Sequence, residues 1–572
     1  MINTLPKNQG ILKYENFFNE PPPENILSLI SDCCKTTLLG EFAYLNYKLK
    51  PKTTMYYDTS LNTQIYFLNH FCGYNRDLYD KYFKIFKKYI YSKKDYFIIF
   101  TRQTCLYASE QIINSTLEEI EGFTLKNSWE KLLCYLLAVN SMITHQTDED
   151  FNGNDERKTF NLETLNPKLV PLNELSIETD PIYTPYRGYK LLSYIVNHDV
   201  LGSDFRKYFD EKYKISYDQF IYELLSMYYA NNRDGKNNIT NEITGETLDT
   251  TFYYTVKGED APLFEELSKV FKSDIIERLI SIKKYPFHKS SGGQFLLTDN
   301  ILLLDKSYYQ FINDFWFDCV RIIKDEQGNA KYNISQYRSA IGHFFENYVK
   351  EIFDYCFNKN KYHVVKMFDE LKIKSENGDI ELADVYVRYH KKIFVAEVKS
   401  TGFYDDQKYT GALNKMYRDN REGFFNSFGV GQIVKSITNL SAFIKQIDPG
   451  FPEDGNCHIF PAVIVNEKAL QTPLMAEIFN ERFNEMISEL KFEKLILHPL
   501  SIIHISDLEQ MEDHLQSSSS EFWRILKYHL RNQDFIPTFY NSLNRLDIKT
   551  SFKKTMTLFK ELTIKYQRTN EP

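Results

Sequence analysis

The residues best suited to chemistry lie in the stretch 378–400, GDIELADVYVRYHKKIFVAEVKS, which carries Asp384 and, further on, the triplet Glu397-Val398-Lys399. Side chains at i and i+2 of a strand share a face. Glu397 and Lys399 therefore emerge beside Val395, while Phe394, Ala396 and Val398 take the other face. The rest of the strand is apolar, and charges at the end of a buried strand are costly unless they are paired or used. The connection His390-Lys391-Lys392 is short enough to make a hairpin of 380–389 and 393–400, which turns Asp384 toward Glu397 across the pair. Two carboxylates then meet one ammonium. Hard divalent cations such as Mg2+ take oxygen ligands of this kind and keep waters for exchange with a phosphate. With the lysine placed to orient or deprotonate an attacking water, the set suits metal-dependent cleavage of a phosphodiester.

The elements needed to hold that hairpin can be read on both sides of it. Ile341, Phe344, Phe345, Tyr348, Val349, Ile352 and Phe353 recur at helical spacing over 335–357, and Glu346 lies within that helix. YHVVKMF at 362–368 reads as a first strand, 429–447 as a helix bearing Gln432 and Lys435 near its start, and HIFPAVIVNE at 458–467 as a further strand. The order is helix, three strands, helix, strand.

With Asp384 as the motif aspartate and Glu397-Val398-Lys399 as the acidic-x-lysine element, this order resembles the αβββαβ core of the PD-(D/E)XK nuclease superfamily over about 335–467; Ala383 stands in place of the motif proline. The resemblance implies a restriction-endonuclease-like core with a central mixed sheet. It implies Mg2+ or Mn2+ held by Asp384, Glu397, Val398 and Glu346, and catalysis by Asp384, Glu397, Lys399, Glu346 and Gln432. It matches Gly342-His343-Phe344-Phe345-Glu346 to the helix element that completes the acidic cluster, and it implies in-line water attack leaving a 5′ phosphate and a 3′ hydroxyl. Each residue also has a plainer reading. Asp384, Glu397 and Lys399 would form a structural ion-pair cluster, Glu346 a solvated helix face, Lys435 a snorkelling side chain, and His343 a packing or capping group.

Composition frames this site without adding to it. A chain of 572 residues holds two to four domains. A hydrophobic fraction of 43% with 16% aromatics describes a folded protein. The net charge of −8 excludes a protein that coats nucleic acid by bulk positive charge, so such contact needs a local patch. Candidate patches are the lysine- and aromatic-rich stretch 79–94, the basic terminal helix with Lys549, Lys553, Lys554, Lys560, Lys565 and Arg568, and the insert 402–428 with Lys408, Lys415, Arg418 and Arg421. The eight cysteines show no zinc-ligand spacing, no Walker-type loop appears, and no apolar run approaches a membrane span.

The fold expected is multidomain, α plus α/β: a mostly helical region over 1–285, a small strand-bearing connector over 286–334, the nuclease-like domain over 335–510 and a helical extension over 511–572. The stretch 165–189 reads as Pro-punctuated and irregular, and 145–158 and 231–249 as polar loops. The function expected is a cytoplasmic Mg2+-dependent endonuclease acting on DNA in preference to RNA, an effector of bacterial anti-phage or anti-plasmid defence working as a homo-oligomer or with partner proteins and without a membrane. The alternatives are a structure-selective nuclease of repair or mobile-element processing and a non-catalytic nucleic-acid-binding platform.

Overall fold

The structure, a computed structural model, describes residues 8–50, 56–90, 95–145, 169–177, 180–231, 238–240, 247–249, 252–256, 258, 261–273, 275–357, 362–374, 379–403, 408, 419–452, 456–488, 490, 495–531 and 535–567. The chain divides into two compact units, one built from 1–154, 175–322 and 555–572, the other from 155–174 and 323–554. The terminal helix, Lys553–Gln567, thus joins the first unit from Thr555 onward.

The first unit is mainly helical, with long helices at Lys35–Lys48, Leu61–Cys72, Arg76–Ile90, Arg102–Asn114, Trp129–His145, Tyr183–Val196 and Tyr217–Asn231. A parallel strand pair joins Asn8–Ile11 to Asp95–Ile98, and an antiparallel hairpin of Phe287–Lys289 with Phe295–Leu297 turns through Gly293 at φ +77°. That hairpin falls in 286–334, the stretch expected as a connector, and it belongs to the first unit, which runs to Ile322. The expectation of an irregular 165–189 is corrected: Leu169–Ser176 and Tyr183–Val196 are helices. Pro171 and Pro185 each stand third in their helix, in the first turn, where an N–H has no intrahelical acceptor to lose. The polar stretch 231–249 likewise contains an antiparallel pair, Asn238–Thr240 with Thr247–Asp249. Residues 146–158 lie outside the described residues.

The second unit is built on a mixed sheet, which has six strands among the described residues. Helix α1 (Ile334–Phe357) leads into β1 (Val364–Met367), β2 (Val385–Tyr389) and β3 (Lys392–Lys399). Helix α2 (Val430–Ile447) then leads to β4 (Cys457–Val465), α3 (Met475–Ile487), β5 (Leu495–Leu497) and β6 (Ser501–His504), followed by α4 (Ile505–Ser517) and α5 (Glu521–His529). β2 is antiparallel to both β1 and β3; β4 is parallel to β3, and β5 and β6 pair with β4 in succession along one edge. Pro499, which has no N–H for the ladder, falls between β5 and β6 and keeps them from forming one continuous strand. The serine run Ser517–Ser520 separates α4 from α5.

β3 is central, and its two faces meet different helices. Ile393 and Val395 pack with Val430, Ile433 and Ile437 of α2. On the other face, Phe394 stacks on Phe353 of α1 at 6.1 Å and meets Phe522 of α5 edge-on at 5.0 Å. Burial of each such side chain stabilises the fold by about 1.5–3 kcal/mol, so the alternation along β3 fixes its register between the helices.

Candidate active site

The β2–β3 pairing sets Val385 opposite Ala396, and carried one residue further it sets Asp384 opposite Glu397. The backbone N–H of Asp384 donates to the Ala396 carbonyl at 3.2 Å. Asp384 Oδ2 accepts the Val398 N–H at 2.7 Å, so this carboxylate is held by the strand that carries its partner. Lys399 Nζ lies 3.2 Å from Glu397 Oε2 and 3.7 Å from Asp384 Oδ2. One ammonium thus serves two buried carboxylates. Burial, and next the charge of Asp384, push the Glu397 carboxyl above its usual range; Lys399 and a hydrogen bond from Ser436 oppose that shift.

Helix α2 supplies two contacts that strand periodicity does not reveal. Ser436 Oγ donates to Glu397 Oε1 at 2.7 Å. Gly429 precedes the helix at φ +81°, and a Cβ built there would lie 2.8 Å from Lys399 Cε and 3.3 Å from Glu397 Cβ. The start of α2 therefore rests on the stems of the two charged residues, with the positive end of the helix dipole toward the carboxylates. Of the two α2 residues singled out by sequence, Gln432 and Lys435 are both exposed. Ser436, one turn beyond Gln432, is the α2 side chain that touches Glu397. Val398 turns its side chain away from that face and uses its N–H on Asp384, which leaves its carbonyl as its only oxygen for a metal.

Glu346 comes from the opposite face. A Cβ at Gly342 would lie 3.6 Å from Ser400 Oγ, while Phe353 stacks on Phe394, so α1 runs antiparallel to β3 and brings its first turns to the end of the strand that holds the charges. Glu346 lies one turn past Gly342 and is half-buried. Burial and then Asp384 push its carboxyl up, with His343 and Lys399 opposing and Glu381 adding. Glu381 is itself pushed up, by burial and then Asp384. It was not singled out from sequence, although it stands three residues before Asp384 in GDIELAD. No three His, Cys, Asp or Glu side chains among the described residues gather closely enough to form a ready-made metal cage.

The cations expected to follow a phosphate backbone are in part already matched. Lys408 is buried between Glu174 Oε2 at 3.2 Å and Glu467 Oε1 at 3.4 Å, while Glu467 also accepts the Phe403 N–H at 2.7 Å. Arg421 pairs with Glu485 at 3.0 Å; Lys415 and Arg418 lie outside the described residues. In the other two stretches Lys81 pairs with Glu130, Lys554 with Glu512 and Lys565 with Asp218. Among the described residues no helix is long and apolar enough to cross a membrane.

No protein-family model, no curated protein and no solved structure matches this chain.

Proposed function

We propose that the second unit hydrolyses phosphodiester bonds of nucleic acid, DNA in preference to RNA, with Mg2+ or Mn2+, on a restriction-endonuclease-like αβββαβ core. The observation that carries this reading is the meeting of Asp384, Glu397 and Lys399 at the end of β3. The donor set fits a hard cation: Asp384 and Glu397 present carboxylate oxygens, Glu346 stands within reach of the Asp384 charge, and a single ammonium leaves the cluster with excess negative charge. Asp384 and Glu397 would hold the ion with the Val398 carbonyl, and Glu346, which does not complete a three-carboxylate cage in this structure, would have to move in to join them. When bound, the ion supplies charge stabilisation on the phosphate oxygens and eases ionisation of water.

The chain's own groups do the rest. Ser436 and Lys399 fix the Glu397 carboxylate from two sides, and the Val398 N–H fixes Asp384. Lys399, with 17% of its side chain exposed, is placed to hydrogen-bond an incoming water and to offset charge growing on a phosphate oxygen. The water oxygen bonds to phosphorus as the bond from phosphorus to O3′ breaks; O3′ takes up a proton, leaving a 5′ phosphate and a 3′ hydroxyl. The attachment of such a unit to a large helical one supports, by association alone, an effector role in bacterial defence against phage or plasmid.

Purified protein incubated with linear duplex, supercoiled plasmid, branched DNA, single-stranded DNA and RNA is expected to cut at least one of the DNA forms with Mg2+ or Mn2+ and none with EDTA. Binding without cutting under every metal condition overturns the proposal in favour of a non-catalytic platform. Gly429→Ala gives a finer test of the same geometry. It costs about 1 kcal/mol for a Cβ at positive φ, and by displacing the Lys399 stem it is expected to slow cutting about 10- to 100-fold, read as kcat on a saturating substrate.

A further inference from the structure

The end of the sheet away from Lys399 gathers a second set of polar side chains, which the proposed reaction does not use. Lys392 opens β3 and pairs in register with His458 of β4. A strand of this length separates Lys392 from Lys399 by about 23 Å. His458 Nδ1 lies 3.0 Å from His498 Nε2, and the His498 ring stacks on Phe460 at 4.1 Å. His363 accepts the Trp523 indole N–H on Nε2 at 3.0 Å and stacks on Tyr389 at 4.7 Å; Lys392 Nζ sits 5.7 Å from the same tyrosine ring. Lys527 of α5 is exposed beside them, and one turn on the Arg531 guanidinium covers the Tyr528 ring at 3.9 Å.

These groups share a consistent electrostatic situation. Burial and then Lys527 lower the Lys392 ammonium; burial, His390 and Lys392 push His363 down to about 4; burial, His458 and Lys527 lower His498. Every neighbour contributing to these shifts is itself a cation or becomes one on protonation. Among the described residues, none of Lys392, Lys527, His363, His390, His458 or His498 forms an ion pair with a carboxylate. Lys392 and Lys527 lie together with no carboxylate paired to either among the described residues, and in a chain of net charge −8 such a pair marks a place where an arriving anion relieves repulsion, with the neighbouring imidazoles as hydrogen-bonding groups rather than fixed charges.

We propose that this end of the sheet binds the phosphodiester backbone of nucleic acid away from the scissile position, as a second contact about 23 Å from Lys399. The identity of the ligand rests on the nuclease reading. The interleaved rings favour nucleic acid over an acidic peptide, because Tyr362 is 75% exposed beside His363, and cations alternating with aromatic faces suit phosphate and base together.

The test uses the full chain carrying Glu397→Gln, so that nothing is cut, and a labelled 30-mer in duplex and single-stranded form over a salt series. Adding Lys392→Glu and Lys527→Glu is expected to weaken binding at least about tenfold and to lower the salt slope by about two. Lys527→Glu alone, at an exposed helix position, is expected to give a smaller loss in the same direction and keeps the test decisive if the double variant folds poorly. Unchanged affinity and slope in both variants overturn the inference. So does patch-dependent binding of a polyglutamate peptide that is tighter than binding of the oligonucleotides, which assigns the patch to a protein partner. The two readings fail separately: patch-dependent oligonucleotide binding by a chain with Glu397 intact that cuts nothing supports the patch and removes the nuclease, whereas metal-dependent cutting with patch-independent binding does the reverse.

Discussion

Glu397→Gln is expected to reduce metal-dependent cutting by about 1,000-fold or more, while the melting temperature in EDTA stays at or above that of the parent. The substitution keeps shape and removes one charge. Its carbonyl oxygen can still accept from Ser436, which donates to Glu397 Oε1 at 2.7 Å. What disappears is a buried negative charge beside Asp384, with Lys399 their shared counter-ion at 3.2 and 3.7 Å. Burial, and next the repulsion from Asp384, push the Glu397 carboxyl up against the pull of Lys399 and Ser436. Removing one therefore relieves the fold as it disables the site.

A purely structural ion-pair cluster makes the opposite prediction. There Glu397 would be retained for stability, and breaking a buried pair by removing one partner's charge would cost about 3–5 kcal/mol with no cutting to lose. Thermal melts and cleavage assays on one preparation separate the two: a destabilised variant whose cutting is unaltered sinks the catalytic assignment. Lys399→Met serves as a companion. It is expected to lose cutting to a similar degree while Mn2+ binding, measured by calorimetry, persists, because the carboxylate oxygens remain.

Much of this geometry was open to sequence reasoning because a strand has only two faces. Once Phe394 and Val398 are assigned to one side, Val395, Glu397 and Lys399 must share the other, and a short polar turn at 390–392 leaves Asp384 one place to go. The register of β2 on β3 bears this out, with Asp384 opposite Glu397. The contributions of α2 were not legible in the same way. Gly429 and Ser436 act through the approach of a helix to a strand far from it in sequence, and neither a glycine before a helix nor a serine within one announces such contact. Gln432 has the right distance along the helix but the wrong azimuth: it is exposed, and the side chain one turn later reaches the carboxylate.

Charge runs misled for a related reason. Lys408 stands among other basic residues in an insert that reads as a candidate phosphate contact, yet it is buried, because Glu174 and Glu467 meet on it from sequence positions 234 and 59 residues away. Periodicity also overextended elements where a single residue type decides. Pro499 interrupts a run that is otherwise continuously strand-like, whereas Pro171 and Pro185, which suggested irregular chain, are harmless in a first turn. In each case the tertiary or capping position of the residue outweighed its average propensity.

Asp299→Ala is expected to cost the first unit about 4 kcal/mol, a large share of the stability of any single domain. Asp299 lies at the start of the helix Asn300–Asp305, where Oδ1 accepts the N–H groups of Ile301 and Leu302 at 2.9 and 2.8 Å. The same carboxylate takes Arg102 Nε at 3.1 Å on Oδ2 and the terminal guanidinium nitrogen at 2.9 Å on Oδ1, with the two side chains 1% and 3% exposed. Arg102 also lies over the Tyr57 ring at 5.0 Å and donates to the Leu175 carbonyl at 3.2 Å, so the guanidinium cannot swing to water when its partner goes. The loss therefore combines a helix cap with a stranded buried cation. Asp299→Asn, which keeps an acceptor for the cap and loses the charge, should fall between parent and alanine. Arg102→Met combined with Asp299→Leu, which leaves no unpaired charge, should recover most of the loss beyond the cap. Calorimetric scans of the set measure the ordering; an alanine variant no less stable than the double apolar variant would show that the pair contributes no more than the cap does.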